Sequence, residues 1–204
     1  MSTEDGRLES GLSDHGHEHV VQFYGSDRSL VATVAGFLAE GLVAGEPGIV
    51  IATTSHCAAI IAGLGERLID CDRAVRTGDL ILLDAEATLD LFVVGDTPNP
   101  ELFEDNVGRL IQQATNGRRT TVRAYGEMVD VLWKQGRADA AIKLEILWNS
   151  LARKYNFTLL CGYAMGSFYK QTEKLEEVIA QHTRVICNDT SVVPFASRRR
   201  LSAR

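Results

Sequence analysis

Two carboxylates carry the first chemical possibilities in this sequence. Glu127 follows Thr120–Tyr125, a run that reads as a buried strand stopping at Gly126, and a short apolar helix begins at Met128. In open α/β sheets, ligands bind in the crevice outside the carboxyl ends of the strands, so a carboxylate there is a candidate ligand group. Glu145 lies on a later helix with Trp148 and Asn149, and a second strand, Phe157–Tyr163, ends in Cys161-Gly162-Tyr163. These segments read as walls of one pocket. Tyr24, Tyr125, Trp148 and Tyr163 add the amphipathic rings that a small-molecule site uses. Glu127 and Glu145 form an acid/base pair if both face the crevice. The competing readings are structural: a charge favoured at a helix N-terminus for Glu127, a solvated face or buried ion pair for Glu145, and core packing for the rings.

Other chemistries are poorly served. The first strand-to-helix turn, Tyr24-Gly25-Ser26-Asp27-Arg28-Ser29, has one glycine, no lysine, and an aspartate that repels phosphate, so it is not a phosphate loop. A helix N-terminus with Ser26 and Asp27 still suits an anion or a polar ligand group. No Gly-x-Ser-x-Gly turn is present. Cys161 shows no evident base partner and reads as a small buried apolar residue. The alternating His15-Gly16-His17-Glu18-His19 offers imidazoles of the kind that bind nickel, copper or zinc, but no neighbouring cysteine or second histidine cluster completes a site. The expectation is no catalytic residue, no metal and no cofactor.

The elements that position these residues follow from hydrophobic periodicity. Val20–Tyr24 is a strand, and Ser26 or Asp27 caps a helix with Leu30, Val31, Val34, Phe37, Leu38 and Leu42 on one face, ending near Gly45. Gly48–Thr53 is the second strand. The next helix, capped by Thr54 or Ser55, carries Ile60, Ile61, Leu64 and Leu68 inward. Asp79–Asp84 is the third strand, an apolar run of the sort covered on both faces. Leu89–Val93 reads as a helical piece and Gly95–Pro100 as a rigid loop, with Asn99 as cap and Pro100 at the first helical position. Phe103, Val107, Leu110, Ile111 and Ala114 make a helix stripe stopped by Asn116-Gly117. Strand four precedes a short helix closed by Gly136; Ala138–Tyr155 is a longer helix, Phe157–Tyr163 the fifth strand, and Gln171–Val185 a last helix. Strands alternating with helices predict an α/β fold: three layers, a mostly parallel five-stranded sheet with helices on both faces.

The bulk numbers narrow the function. A net charge of -6 and a pI near 5.4 argue against a nucleic-acid-binding body. No apolar run is long enough for a membrane span, and residues 1–18 lack the apolar core of a secretory signal. Four scattered cysteines have neither metal-like nor disulfide spacing, which fits a reducing cytoplasm. Residues 1–18 read as a disordered polar tail, 19–186 as one folded domain and 187–204 as a loose basic tail.

Six blocks in order resemble the MEDS domain, a sensory domain of methanogens and methylotrophs typified by the sensor region of a dichloromethane-responsive repressor. They are His19-Val-Val-Gln-Phe-Tyr24; Phe37-Leu-Ala-Glu-Gly41-Leu with Gly45-Glu46; Gly78-Asp-Leu; Arg123-Ala-Tyr-Gly-Glu127-Met; Leu144-Glu145 with Trp148-Asn149 and Leu151; and Leu160-Cys161-Gly-Tyr163. The resemblance covers roughly residues 18–185. It implies a RecA/KaiC-like fold without a phosphate loop and a cytoplasmic module that senses a small molecule, such as a hydrocarbon derivative. His19, Tyr24, Glu127, Glu145, Asn149, Cys161 and Tyr163 match the family's recurrent residues and are carried over as pocket candidates. Relatives join histidine kinases, PAS modules or DNA-binding regions. Here the sequence runs only to Arg204, so output is expected through a partner protein such as a histidine kinase or transcription regulator, without direct contact to nucleic acid or membrane; a homodimer stays open.

The leading expectation is thus a stand-alone sensory module of bacterial signal transduction, not an enzyme, binding its ligand at the strand C-terminal ends. The alternatives are a ligand-free module that docks a kinase or regulator, and an enzyme with residual nucleotide-dependent activity.

Overall fold

The computed structural model describes residues 18–168 and 172–187. Six parallel strands form one sheet: β1 (His19–Tyr24), β2 (Gly48–Ala52), β3 (Leu80–Asp84), β6 (Val122–Gly126), β7 (Phe157–Ala164) and β8 (Arg184–Cys187), in the order β3-β2-β6-β7-β1-β8. A two-stranded hairpin, β4 (Val93–Val94) with β5 (Thr97–Pro98), stands apart. The helices are α1 (Asp27–Ala44), α2 (Thr54–Gly65), α3 (Cys71–Thr77), α4 (Ala85–Asp90), α5 (Pro100–Phe103), α6 (Arg109–Thr115), α7 (Met128–Lys134), α8 (Ala138–Ala152) and α9 (Thr172–Ala180).

Strand side chains alternate between faces, and each face builds its own core. On one, Val20, Tyr24, Val50, Tyr125 and Leu160 pack under Leu30, Val34 and Leu38 of α1 and Ile60 and Leu64 of α2. On the other, Val21, Phe23, Ile49, Ile51, Ala124, Leu159, Cys161 and Tyr163 pack against α4 to α8, with Phe92, Phe103, Leu132 and Trp148 filling the layer. This is the expected three-layer parallel α/β architecture. Ser26 caps α1 as the sequence predicts, its hydroxyl accepting from the Ser29 N–H. Asn99 does the same for α5, with Pro100 next to it. Gly45, Asn116 and Gly136 take left-handed backbone at helix ends, where an L side chain other than Asn is disfavoured.

The strand count is six, not five. The last helix stops at Ala180 instead of Val185, and Arg184–Cys187 pairs in parallel with Val20–Phe23 of β1. Four residues ending a helical pattern carry too little periodicity to announce an edge strand. The expected loop at Gly95 is a hairpin. Helix α2 ends at Gly65, so Leu68 does not face inward; it is 94% exposed at φ 62°, and Ile61 lies at the margin of the core. The apolar run Leu80–Leu83 lies on the edge strand β3, not on a strand covered on both faces, and Ile81–Leu83 keep partial exposure. Apart from Glu18 and Cys187, which ends β8, both predicted tails lie outside the described residues, as do His15 and His17.

Candidate functional site

The predicted pocket residues separate into two polar clusters on opposite faces of the sheet. The divide follows from strand alternation. Tyr24 and Tyr125 point to the α1–α2 side, whereas Cys161 and Tyr163 point to the α7–α8 side. Glu127 and Glu145 therefore do not form one acid/base pair.

The first cluster fills the crevice at the strand ends. Glu127 is buried, and Oε1 accepts the Thr53 N–H at 2.6 Å. Its Oε2 accepts the Nδ1–H of His56 at 2.6 Å and the Tyr125 hydroxyl at 3.0 Å. Burial pushes the Glu127 pKa up, but hydrogen bonds from His56 and from Thr53 outweigh it, and the carboxyl titrates below its usual range. His56 is raised, first by its hydrogen bond to Glu127; its Nε2 also lies 3.4 Å from Oδ1 of the exposed Asp27. Beside this pair the Tyr24 hydroxyl donates to Asp130 Oδ2 at 3.1 Å, Lys134 Nζ approaches the same oxygen at 2.7 Å, and Oδ1 accepts the Ala164 N–H at 3.1 Å. Burial, then Asp130, keep Tyr24 a neutral phenol. Three carboxylates and a satisfied imidazole occupy the position where a phosphate-binding fold would need uncommitted donors. Ser26 spends its side chain on its own helix. Glu127 is therefore a structural hub whose oxygens are already engaged.

The second cluster lies beneath β1 and β7. Glu145, on α8, is fully buried. The Tyr163 hydroxyl donates to its Oε1 at 2.9 Å. Cys161 Sγ and His19 Nε2 stand 3.4 and 3.2 Å from Oε2, and 3.4 Å from one another. His182, from the turn between α9 and β8, brings Nε2 to 3.5 Å from Oε1, and its ring centroid lies 4.1 Å from that of His19. Both imidazoles are anchored at their outer nitrogens. His182 Nδ1–H donates to the Val178 carbonyl at 2.7 Å. Asn149 Nδ2 donates to the Gln181 carbonyl at 2.9 Å, which leaves Asn149 Oδ1 to accept from His19 Nδ1 at 2.9 Å. Burial raises the Glu145 pKa, but the charges of His182 and His19 and the bonds from His19 and Tyr163 outweigh it, and the carboxyl is held below its usual range. Burial pushes the Cys161 thiol well up and the His182 imidazole down.

Trp148 belongs to neither cluster. Its buried ring packs edge-on against Phe103 at 5.2 Å and, tilted, against Phe157 at 5.8 Å. Sequence reasoning missed His56, Asp130 and His182. Asp130 had a local signal, as an acidic residue in the first turn of an apolar helix. His56 and His182 had none, because their carboxylate partners, Glu127 and Glu145, lie far from them in sequence.

The model of the MEthanogen/methylotroph, DcmR Sensory domain, MEDS, matches residues 18–183. The chain belongs to the MEDS family. The match takes in both clusters, His182 included. No curated protein matches this MEDS chain. Among solved structures, a KaiC-like protein from the hyperthermophilic archaeon Pyrococcus horikoshii OT3 shares the fold at a TM-score of 0.53 and 17% identity, over 83% of this chain and 71% of that one. The fold is thus KaiC-like, as the sequence blocks imply, and the family is a sensory one. Among the described residues no helix is long and apolar enough to cross a membrane.

Proposed function

We propose that this MEDS chain is a sensory module of signal transduction in which the buried cluster around Glu145 is the sensing site and the segment 172–187 is the element it controls. The observation that carries this reading is the position of His182. Its side chain is fully buried against Glu145, although it belongs to a peripheral segment whose strand, β8, is mostly exposed. The same segment is tied to the sensing residues by backbone and amide bonds. Thr183 N–H donates to the His19 carbonyl at 2.7 Å, the His19 N–H donates to Thr183 Oγ1 at 3.0 Å, and Gln181 receives Asn149. A change of charge or ligation at Glu145 thereby alters the docking of α9 and β8. A ligand shifts such an equilibrium only by its differential affinity for the docked and undocked states.

On this reading the ligand binds beside Glu145 and not at the strand ends, where Thr53, His56 and Tyr125 already engage both oxygens of Glu127. Output passes to a partner protein, a histidine kinase or regulator, through the α9–β8 surface, and no substrate is turned over. Hydrogen exchange tests this. Glu145→Gln and His182→Ala should speed exchange across 172–187 and leave β2 and β6 unchanged. Equal protection of 172–187 in wild type and both variants would sink the reading.

A further inference from the structure

The second cluster has an excess of electron-pair donors. Its carboxylate can accept only; the Val178 carbonyl fixes the hydrogen of His182 on Nδ1, and Asn149, oriented by the Gln181 carbonyl, fixes that of His19 on Nδ1. When the imidazoles are neutral, both Nε2 atoms therefore turn lone pairs inward. Among the described residues His182 Nε2 makes no hydrogen bond, and its side chain is fully buried. A buried polar atom left this way is costly unless something fills the gap.

We infer that His19, Glu145, Cys161 and His182 form a binding site for one zinc-class divalent cation. The inference rests on the sensory reading's own cluster and names its ligand class. The four ligand atoms lie within 4.8 Å of one another. Zinc bonds of about 2.0–2.3 Å to nitrogen, oxygen and sulfur give a tetrahedron with edges of about 3.3–3.8 Å. The separations 3.2 Å (His19 Nε2 to Glu145 Oε2) and 3.4 Å (Cys161 Sγ to each of these) match three such edges closely. His182 closes the fourth corner by a small ring movement. The ligand set, two imidazoles with a thiolate and a carboxylate, suits zinc by softness.

Charge argues the same way. The Cys161 thiol gives its proton to solvent as the sulfur–metal bond forms, and the dication then balances one thiolate and one carboxylate in a dry interior. Asn149, Val178 and Tyr163 supply the outer hydrogen bonds that orient metal ligands in such sites. The surface grooves of about 390, 200 and 480 Å³ lie elsewhere, lined by Leu42 and Arg118, by Glu86 and Arg137, and by Arg109 and Asn116. A single ion suits the enclosed cluster better than an organic molecule.

The test uses the full chain, stripped with chelator and titrated with Co²⁺ and then Zn²⁺. One equivalent of Co²⁺ should give tetrahedral d–d bands and a thiolate-to-cobalt band, both displaced by Zn²⁺. Cys161→Ser should abolish the thiolate band, and His182→Ala or Asn149→Ala should weaken binding by roughly 10- to 100-fold. Cys187→Ser and a His15→Ala/His17→Ala pair should change nothing. Should Cys161→Ser fail to fold, the wild-type spectrum and His182→Ala decide. Octahedral bands, or a thiolate band that survives Cys161→Ser or vanishes with Cys187→Ser, would overturn the site. A stoichiometric metal that leaves exchange across 172–187 unchanged would uphold the site and overturn the sensory coupling instead.

Discussion

Tyr125 crosses directly over Gly162. A Cβ added to Gly162 would stand 2.9 Å from the Tyr125 hydroxyl and 3.2 Å from Leu30. The glycine between Cys161 and Tyr163 is thus the opening through which the Tyr125 ring reaches Glu127, on the face opposite its two neighbours. It joins the two clusters structurally: one strand carries ligands of Glu145 on one side and the clearance for Glu127 on the other. Gly162→Ala should lower stability by about 1–3 kcal/mol, the usual cost of overpacking. Tyr125→Phe in the same chain should recover part of the steric loss. Urea unfolding of the double-mutant cycle checks this, and strict additivity would refute the contact.

Glu127 satisfies three donors, so its removal should be severe. Glu127→Ala should cost about 3–5 kcal/mol, the range for breaking a buried ion pair by deleting one partner. Glu127→Gln should cost less, because Thr53 keeps an acceptor. A Glu127→Ala chain with a wild-type urea midpoint would show that water replaces the carboxylate.

The same pair sets a pH window. The His56 pKa is raised above 6.5, foremost by the bond to Glu127, so its contribution is complete below that value and is lost as pH rises through the folded pKa. The Glu127 pKa is lowered below 4.5, so its contribution is present above that value and is lost as pH falls through the folded pKa. The bond is strongest between the two. His56→Gln should therefore destabilise more below the unfolded pKa than at a pH above the folded one, where the imidazolium is lost in either state. Equal losses at both would mean the imidazole is neutral in the fold.

Leu68 is 94% exposed and sits at φ 62°, a region that non-glycine residues enter at a cost of about 1–2 kcal/mol. Leu68→Gly should raise stability by about 0.5–1 kcal/mol once glycine's larger unfolded-state entropy is counted. A drop in melting temperature would show that the exposed side chain is held by a contact in solution.

The β1–α1 turn places Asp27 and a self-capped Ser26 where phosphate would sit. ATP turnover should stay at the buffer background in wild type and in Glu127→Gln alike. Turnover that vanishes in Glu127→Gln would move the chain to the enzymes.

Much of the fold was legible locally. The strands β1, β2, β3, β6 and β7, the caps Ser26 and Asn99, and the stops at Gly45, Asn116 and Gly136 follow from periodicity and turn chemistry, which act within a few residues. The site was legible only as a set of residue types. Tyr125 does meet Glu127 at a strand end, with Tyr24 bonded to Asp130 instead, and Glu145, His19, Asn149, Cys161 and Tyr163 do meet one another. That these are two clusters follows from strand parity: Tyr125 faces α1, whereas Cys161 faces α8.

The sequence by itself determined the alternation of strands and helices, the family, and the absence of a phosphate-loop lysine, because each is written in neighbouring residues. Only the tertiary structure decided which carboxylate keeps company with which histidine. His56 reaches Glu127 from α2, and His182 reaches Glu145 from beyond α9. Such pairings depend on strand order β3-β2-β6-β7-β1-β8 and on burial, which raises the cost of any unpaired charge and so selects the partners. Neither is encoded at short range.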